Sequence, residues 1–241
     1  MPYIMRQGVQ SFVLKGIIAY NERKIMRPVV AIIAVSRSTT LERNTAMSKS
    51  RLEAFTDAII AILMTIMVLG LSIPGGDTWA GLWAIRNKIF IYVISYFFLG
   101  IYWNNHHHMF QVADKINGKV MWLNTLFLFF LSLIPFATAW VGEHLSSFAP
   151  EMFYGTIVLL CDLSYALVSK QLIKVNGANS KIAKLLSDKK KTVYTLIINV
   201  LSLLLGFVNP IFVMIGVLLM LGLWIVPYSD VEREYMNSGS K

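Results

Sequence analysis

The sequence has little charge and a single cysteine. Asp, Glu, Lys and Arg together make up 15% of its 241 residues, whereas hydrophobic residues make up 56%. The cysteine, Cys161, lies inside an apolar run, so the chain has neither an internal disulfide framework nor a thiolate metal cluster. This composition excludes an ordinary soluble domain and indicates a membrane protein.

The sequence also lacks the motifs of the common enzyme classes. It contains no nucleophile elbow, no P-loop, no HExxH pair and no paired-carboxylate hydrolase site. Its formal net charge is +9, but the basic residues stand mostly between apolar runs, where they act as topology signals. We therefore predict no enzyme activity and no nucleic-acid partner, and we expect the chain to lie in a lipid bilayer.

Six apolar runs are each near the length that a membrane-spanning helix needs, about 20 residues. Asn209-Pro210 separates the last two runs and predicts a tight helical hairpin. The sequence thus predicts an all-α integral membrane protein with six transmembrane helices. The runs are Leu52 to Ile73, Ile89 to Phe110, Val120 to Val141, Met152 to Ile173, Val193 to Val208 and Ile211 to Tyr228.

Residues 1–46 differ from the rest, because basic residues interrupt every apolar stretch there. This extension is either a basic, disordered cytoplasmic arm or a translated leader ahead of a true start at Met47, and we favour the leader. Residues 47–230 form the predicted six-helix domain, and residues 231–241 form a short tail.

Basic residues also predict the orientation in the membrane. Lys115 and Lys119 follow the second run, six lysines lie between the fourth and fifth runs, and the connection after the third run has Glu143 and Glu151 but no Lys or Arg. Positive loops stay in the cytoplasm, so we expect a multi-pass cell-membrane protein with both termini cytoplasmic. Lys88 and its neighbour Arg86 are a mild exception on the outer side.

The first run combines a regular apolar stripe with an acid, Asp57. On a helical wheel at about 100° per residue, a narrow stripe is apolar apart from one hydroxyl, and Asp57 points away from it by more than about 90°. Ordinary helix packing would explain such a stripe, and so would the lining of a pore. The stripe consists of Phe55, Ala58, Ile62, Thr65 and Leu69.

The Asp57 carboxylate needs polar partners, since an ionisable group is expensive in hydrocarbon. Helix rise places Asp57 about 9 Å inward from Arg51, and antiparallel neighbours bring the segment 104–108, Trp122 and Asn124 to the same level. We therefore predict a hydrogen-bonded cluster there. The segment is Asn-Asn-His-His-His, and contiguous histidines lack the spacing of helical metal ligands, so we expect no metal site.

Asp162 is the second acid inside an apolar run. We expect it to accept a hydrogen bond from a neighbouring helix, through Asn199 or Tyr165, and a role in relaying protons or ions is the alternative.

The segment Arg51-Leu52-Glu53-Ala54-Phe55-Thr56-Asp57 resembles the RxxxFSD signature that opens the first helix of the transmembrane protein 175 family of potassium channels. The likeness extends from about Met47 to Tyr228. Thr56 stands where the family usually has serine, and it keeps the hydroxyl.

The resemblance implies a homotetramer in which four copies of the first helix line a central pore. The pore would lack the TVGYG filter of ordinary potassium channels and would conduct potassium ions without a cofactor. In that family the positions that match Ile62 and Leu69 are apolar constrictions, and the position that matches Thr65 supplies a hydroxyl layer implicated in selectivity.

The resemblance further implies that the signature fastens the first helix to the second and third. This network would join Arg51, Phe55, Thr56 and Asp57 to His106, His107, Trp122 and Asn124. We predict a potassium-selective leak channel. The alternatives are a proton- or cation-coupled carrier that uses Asp57 and Asp162, and a membrane protein without transport; a carrier would need an acid on the substrate path.

Overall fold

The computed structural model describes residues 49–186 and 190–225. The chain divides into the units Met1–Ser48 and Lys49–Lys241. The predictions about the N-terminal extension, the start at Met47 and the tail concern residues outside the described ranges. Within those ranges every regular element is a helix.

The first helix, α1, spans Lys49–Leu69. Its sequence is rich in Ala, Leu, Ile and Met and contains neither proline nor glycine, so nothing interrupts its hydrogen bonds. The helix ends before Gly70, and a turn through Pro74, Gly75 and Gly76 follows. Gly76 has a φ of +93°, a conformation that glycine adopts without steric cost.

Eight further helices follow α1 within the described residues. Two of them, α2 and α7, are short helices inside predicted loops, where hydropathy gave no signal for them. The elements are α2 (Trp79–Ala84), α3 (Arg86–Val112), α4 (Gly118–Leu131), α5 (Ile134–Glu143), α6 (Phe148–Asn176), α7 (Lys181–Leu185), α8 (Lys190–Gly206) and α9 (Ile211–Ile225).

The third apolar run, which the sequence predicts as one helix, contains a break. It forms α4 and α5, with a two-residue break at Ser132 and Leu133. Pro135 lies in the first turn of α5, where its missing N–H costs no helical hydrogen bond. The predicted third span is therefore one helical stretch, Gly118–Glu143, with a short break ahead of this proline.

The predicted hairpin at Asn209-Pro210 is present, and it joins α8 to α9. The Asn209 side chain accepts a hydrogen bond from the backbone N–H of Ile211, 3.1 Å away. The two helices approach closely at Gly216, where an added Cβ would lie only 2.4 Å from the Cβ of Ser202. Small residues allow such close contact between membrane helices.

Three helical stretches among the described residues are long and apolar enough to cross a membrane: Lys49–Leu69, Gly118–Glu143 and Phe148–Asn176. Ile211–Trp224 is a shorter apolar helix. The buried core joins α1 to α3, α4, α5 and α6, and Phe110, Phe127 and Tyr154 are among its largest fully buried side chains. One face of α1 therefore packs against this core.

Candidate functional site

One face of α1 packs into the helical core. Its residues recur at spacings of three and four, and each is less than a tenth exposed. Four of the five are apolar, and the fifth is a threonine. They are Leu52 (6% exposed), Thr56 (0%), Ile60 (1%), Leu63 (7%) and Met67 (4%).

The opposite face of α1 is bare and consists of the stripe predicted from the wheel. Phe55 is 52% exposed, Ile62 53% and Leu69 81%. Ala58 and Thr65 on the same face are exposed as well. An apolar helix face of this extent is covered by lipid or by another protein surface in a membrane.

The hydroxyl of Thr65 is satisfied by its own helix. It donates to the carbonyl oxygens of Ala61 (3.1 Å) and Ile62 (2.9 Å). A hydroxyl has one hydrogen and two acceptor lone pairs, so donation into the helix leaves the oxygen lone pairs directed outward. Thr65 therefore presents an acceptor, suited to a cation, on an otherwise apolar face.

A buried hydrogen-bonded chain fixes the rotation of α1 on its packed face. Asn124 of α4 donates from Nδ2 to the Thr56 hydroxyl (2.8 Å), and its Oδ1 lies 2.8 Å from Nε2 of His106 on α3. All three side chains are at most 1% exposed. The His106 ring also stacks on Phe110, with centroids 4.3 Å apart. Three helices therefore meet at one asparagine.

The Asp57 carboxylate has an indole partner. Nε1 of Trp103 donates to its Oδ1 at 3.0 Å. The ring of His107 stacks on Trp103, with centroids 5.7 Å apart, and His107 is hydrogen-bonded to Gln111. The histidines thus divide their roles: His106 joins Thr56 through Asn124, and His107 supports the indole that holds Asp57.

Three residues of the predicted network lie apart from these contacts. Arg51 and Phe55 are exposed, and Trp122 is 77% exposed. Among the described residues, neither Arg51 nor Trp122 makes a hydrogen bond to Asp57. Residues at the same depth come into contact only if their helices are rotated to face each other, and depth alone does not predict that rotation. For the same reason, Trp103 was not predicted as the partner of Asp57.

Asp162 lies in the middle of α6 and accepts two hydrogen bonds. One comes from the Tyr102 hydroxyl and the other from Nδ2 of Asn199, 3.1 Å away. The bond expected from Asn199 is therefore confirmed, whereas Tyr102 was not foreseen. In the described part of the chain, no group of three or more His, Cys, Asp or Glu side chains is placed to hold a metal ion.

A second set of contacts holds the far end of α1. Nζ of Lys88 donates to the Ser72 hydroxyl (2.6 Å) just beyond α1 and forms an ion pair with Glu143 (2.8 Å) at the end of α5. The sequence alone presents Lys88 only as an exception to the charge rule. The contacts give it a role that hydropathy could not indicate, which is to tie α1, α3 and α5 together.

The fold and this site define an integral membrane protein built around one helix that is packed on one side and bare on the other. The family model described as "Endosomal/lysosomal potassium channel TMEM175" matches residues 51–135. A potassium channel of Chryseobacterium sp. is 38% identical over 188 residues, which are 78% of this chain and 97% of that protein. The chain belongs to the TMEM175 family, a family of ion channels.

Two further comparisons extend this result. The solved structure titled a lysosomal potassium-selective channel TMEM175 homolog from Chamaesiphon minutus has the same fold, with a TM-score of 0.65 at 18% identity over 74% of this chain and 97% of that one. The human endosomal/lysosomal proton channel TMEM175 is 31% identical over 103 residues, 38% of this chain and 20% of the human protein.

Proposed function

We propose that this protein is a potassium-selective leak channel, a homotetramer in which four copies of the bare face of α1 enclose the ion pathway. The observation that carries this proposal is the pair of faces on α1. One copy of an apolar stripe cannot enclose a pore, whereas several copies related by symmetry cover one another's stripes and leave a channel on the axis.

The residues on the bare face assign a role to each level of the pathway. Ile62 and Leu69 form apolar rings that restrict the pathway by excluding water. Thr65 lies one turn from Ile62 and offers oxygen atoms to an ion between these rings. Because its hydroxyl hydrogen is donated to the helix, four such oxygens coordinate a cation without competing hydrogens.

The acids lie outside this pathway. Asp57 is held by Trp103, and Asp162 is held by Tyr102 and Asn199. A coupled carrier needs an ionisable group along its substrate path, and this arrangement favours a channel. The resulting filter has few fixed oxygens, so we expect a modest preference for potassium over sodium.

The charge of the connections orients the channel in the cell membrane. Six transmembrane helices correspond to α1, α3, the α4–α5 pair, α6, α8 and α9. The lysines that follow α3 and α6 lie on the cytoplasmic side with both termini, and Glu143 lies on the outer side.

The test is planar-bilayer recording of the purified protein under a potassium gradient, with Ile62→Asn as the diagnostic variant. A polar side chain lets water into an apolar ring, so we expect Ile62→Asn to raise the potassium current several-fold. The matched control is Ile197→Asn on α8, where the isoleucine is 54% exposed compared with 53% for Ile62. The control should leave the current unchanged.

Three results would contradict the proposal. Coupled uptake without single-channel currents would indicate a carrier. Equal effects of the two isoleucine variants would show that Ile62 has no special relation to the ion pathway. A monomeric mass in size-exclusion chromatography with light scattering would exclude a pore enclosed by four copies of α1.

A further inference from the structure

A cleft between four helices lies beside Asp162 and contains no residue of α1. It is formed by α3, α6, α8 and α9 and has about 550 Å³ of empty space, including its open mouth. The cavity volume within this space is about 40 Å³, so a ligand of the size of an aromatic amine extends into the open mouth. Its lining includes Phe98, Tyr102, Asp162, Tyr165, Leu196 and Trp224.

The walls of the cleft are mostly apolar and rich in aromatic rings. Phe98 and Tyr102 pack edge to face with centroids 4.8 Å apart, and Tyr165 lies 5.8 Å from Tyr102. Trp224 is anchored by a 2.8 Å hydrogen bond from its indole nitrogen to the Thr195 hydroxyl. Aromatic faces carry negative charge density and attract cations.

Asp162 gives this cleft a single acid without a counter-charge. Its two hydrogen-bond donors, Tyr102 and Asn199, are both neutral. Within residues 49–186 and 190–225 it forms no ion pair. A carboxylate can accept about four hydrogen bonds, and Asp162 accepts two from the protein. A carboxylate in the middle of a membrane helix is costly unless a cation neutralises it.

We propose that the cleft binds a protonated organic amine, with its ammonium group against Asp162 and its apolar part among the rings of Phe98, Tyr165 and Trp224. The ammonium supplies the missing positive charge and donates to the free carboxylate lone pairs. The mostly apolar walls suit an organic cation better than a hydrated inorganic ion, which would need further oxygen ligands. This site is separate from the pathway along α1, so the two proposals fail independently.

Calorimetric titration of the detergent-solubilised full-length protein tests the site, with benzylamine and benzyl alcohol as probes. The two probes have nearly the same shape, but only benzylamine is charged at neutral pH. A charge-assisted contact predicts that benzylamine binds about ten-fold or more tightly than benzyl alcohol. Equal affinities, or no binding of either probe, would overturn the proposal.

Asp162→Asn removes the charge and keeps the shape of the side chain. We expect it to abolish the preference for benzylamine and to leave the binding of benzyl alcohol intact. The control is Asp114→Asn, an exposed aspartate in the loop after α3, which should keep the preference. A preference that survives Asp162→Asn would contradict the site.

Leu196→Phe provides a second test if Asp162→Asn does not fold. It narrows the cleft and leaves Asp162 in the sequence, so both probes should bind about ten-fold more weakly. Leu201→Phe, at an exposed position of the same helix, should leave both affinities unchanged. Unaltered binding in Leu196→Phe would overturn the proposal.

Competition with salts gives a further test. Displacement of benzylamine by potassium chloride but not by N-methylglucamine chloride at equal ionic strength would also overturn the proposal, because the carboxylate would then hold an inorganic cation.

Discussion

The two faces of α1 differ in how they use a threonine. Thr56 is fully buried and accepts a hydrogen bond from Asn124, whereas Thr65 is exposed and donates its hydrogen to its own helix. The same hydroxyl is thus a structural acceptor in one place and an outward-directed oxygen in the other. Of the polar signature, Thr56 belongs to the packed face and Asp57 to its edge, and the stripe from Phe55 to Leu69 that we assign to the ions carries no charge.

This difference predicts that changes on the two faces have different readouts. Changes on the packed face should reduce the stability of the fold, while changes on the bare face should alter the current of a folded protein. A substitution that changed the stability of the fold and the current to the same degree would contradict this difference between the two faces.

Asn124→Leu should have the largest effect, because it leaves the buried Thr56 hydroxyl and His106 imidazole without their partner. Each of the two unsatisfied buried groups costs about 1–3 kcal/mol, so we expect a loss of about 2–6 kcal/mol or failure to obtain folded protein. Thermal unfolding followed by size-exclusion chromatography measures it. The control is Asn104→Leu at an exposed position of α3; equal losses in both variants would remove the special role of Asn124.

Asp57→Ala should destabilise the protein less than Asn124→Leu. Asp57 is partly exposed and has a single indole donor, Trp103, so we expect a loss of about 1–2 kcal/mol. Trp103→Phe should cost a similar amount, and the double variant should cost little more than either one, because both remove the same bond. Additive losses in this cycle would show that the bond contributes little.

Thr65→Val should change the current of a folded channel. Valine keeps the shape but removes the oxygen, so the potassium-to-sodium permeability ratio should fall by about two- to five-fold, which corresponds to less than about 1 kcal/mol. Thr65→Ser keeps the oxygen and should retain most of the preference. Reversal potentials under bi-ionic conditions measure the ratio, and an unchanged ratio in Thr65→Val would argue against an ion-facing hydroxyl.

Lys88→Met should have the smallest effect. The pair of Lys88 with Glu143 is exposed, with side-chain exposures of 22% and 57%, and exposed ion pairs contribute about 0–1 kcal/mol. We expect a slight fall in melting temperature that disappears at high salt. A loss as large as that of Asn124→Leu would mean that the C-terminal end of α1 depends on the contacts of Lys88.

Sequence reasoning predicted the level of the polar cluster but not its pairing. Helix rise and alternating direction place Thr56, Asn124 and His106 at one depth, and the structure joins all three. The same argument named Trp122 and omitted Trp103, which is the partner of Asp57, because the pairing depends on how α3 and α4 are rotated. Rotation follows from side-chain packing between helices, which a single sequence does not display.

Short helices and local contacts could not be predicted from the sequence either. Hydropathy windows are longer than α2 or α7, so neither helix produced a signal. Glu151, which the sequence places in the connection before the fourth run, is a buried acid near the start of α6, and its Oε2 has no hydrogen-bond partner within the described residues. Pro135 was visible in the sequence, but a proline is compatible with both an intact and a divided helix.

The central claim, that ions pass along the bare face of α1, is tested most directly by cysteine modification during recording. The chain has one cysteine, Cys161, and it is buried, so wild-type current should resist a positively charged methanethiosulfonate reagent. Thr65→Cys should lose its current on exposure to the reagent. Val68→Cys lies off the stripe at a position that is 46% exposed and should keep its current. Mass spectrometry that shows Thr65→Cys fully labelled while its current is unchanged would contradict the account.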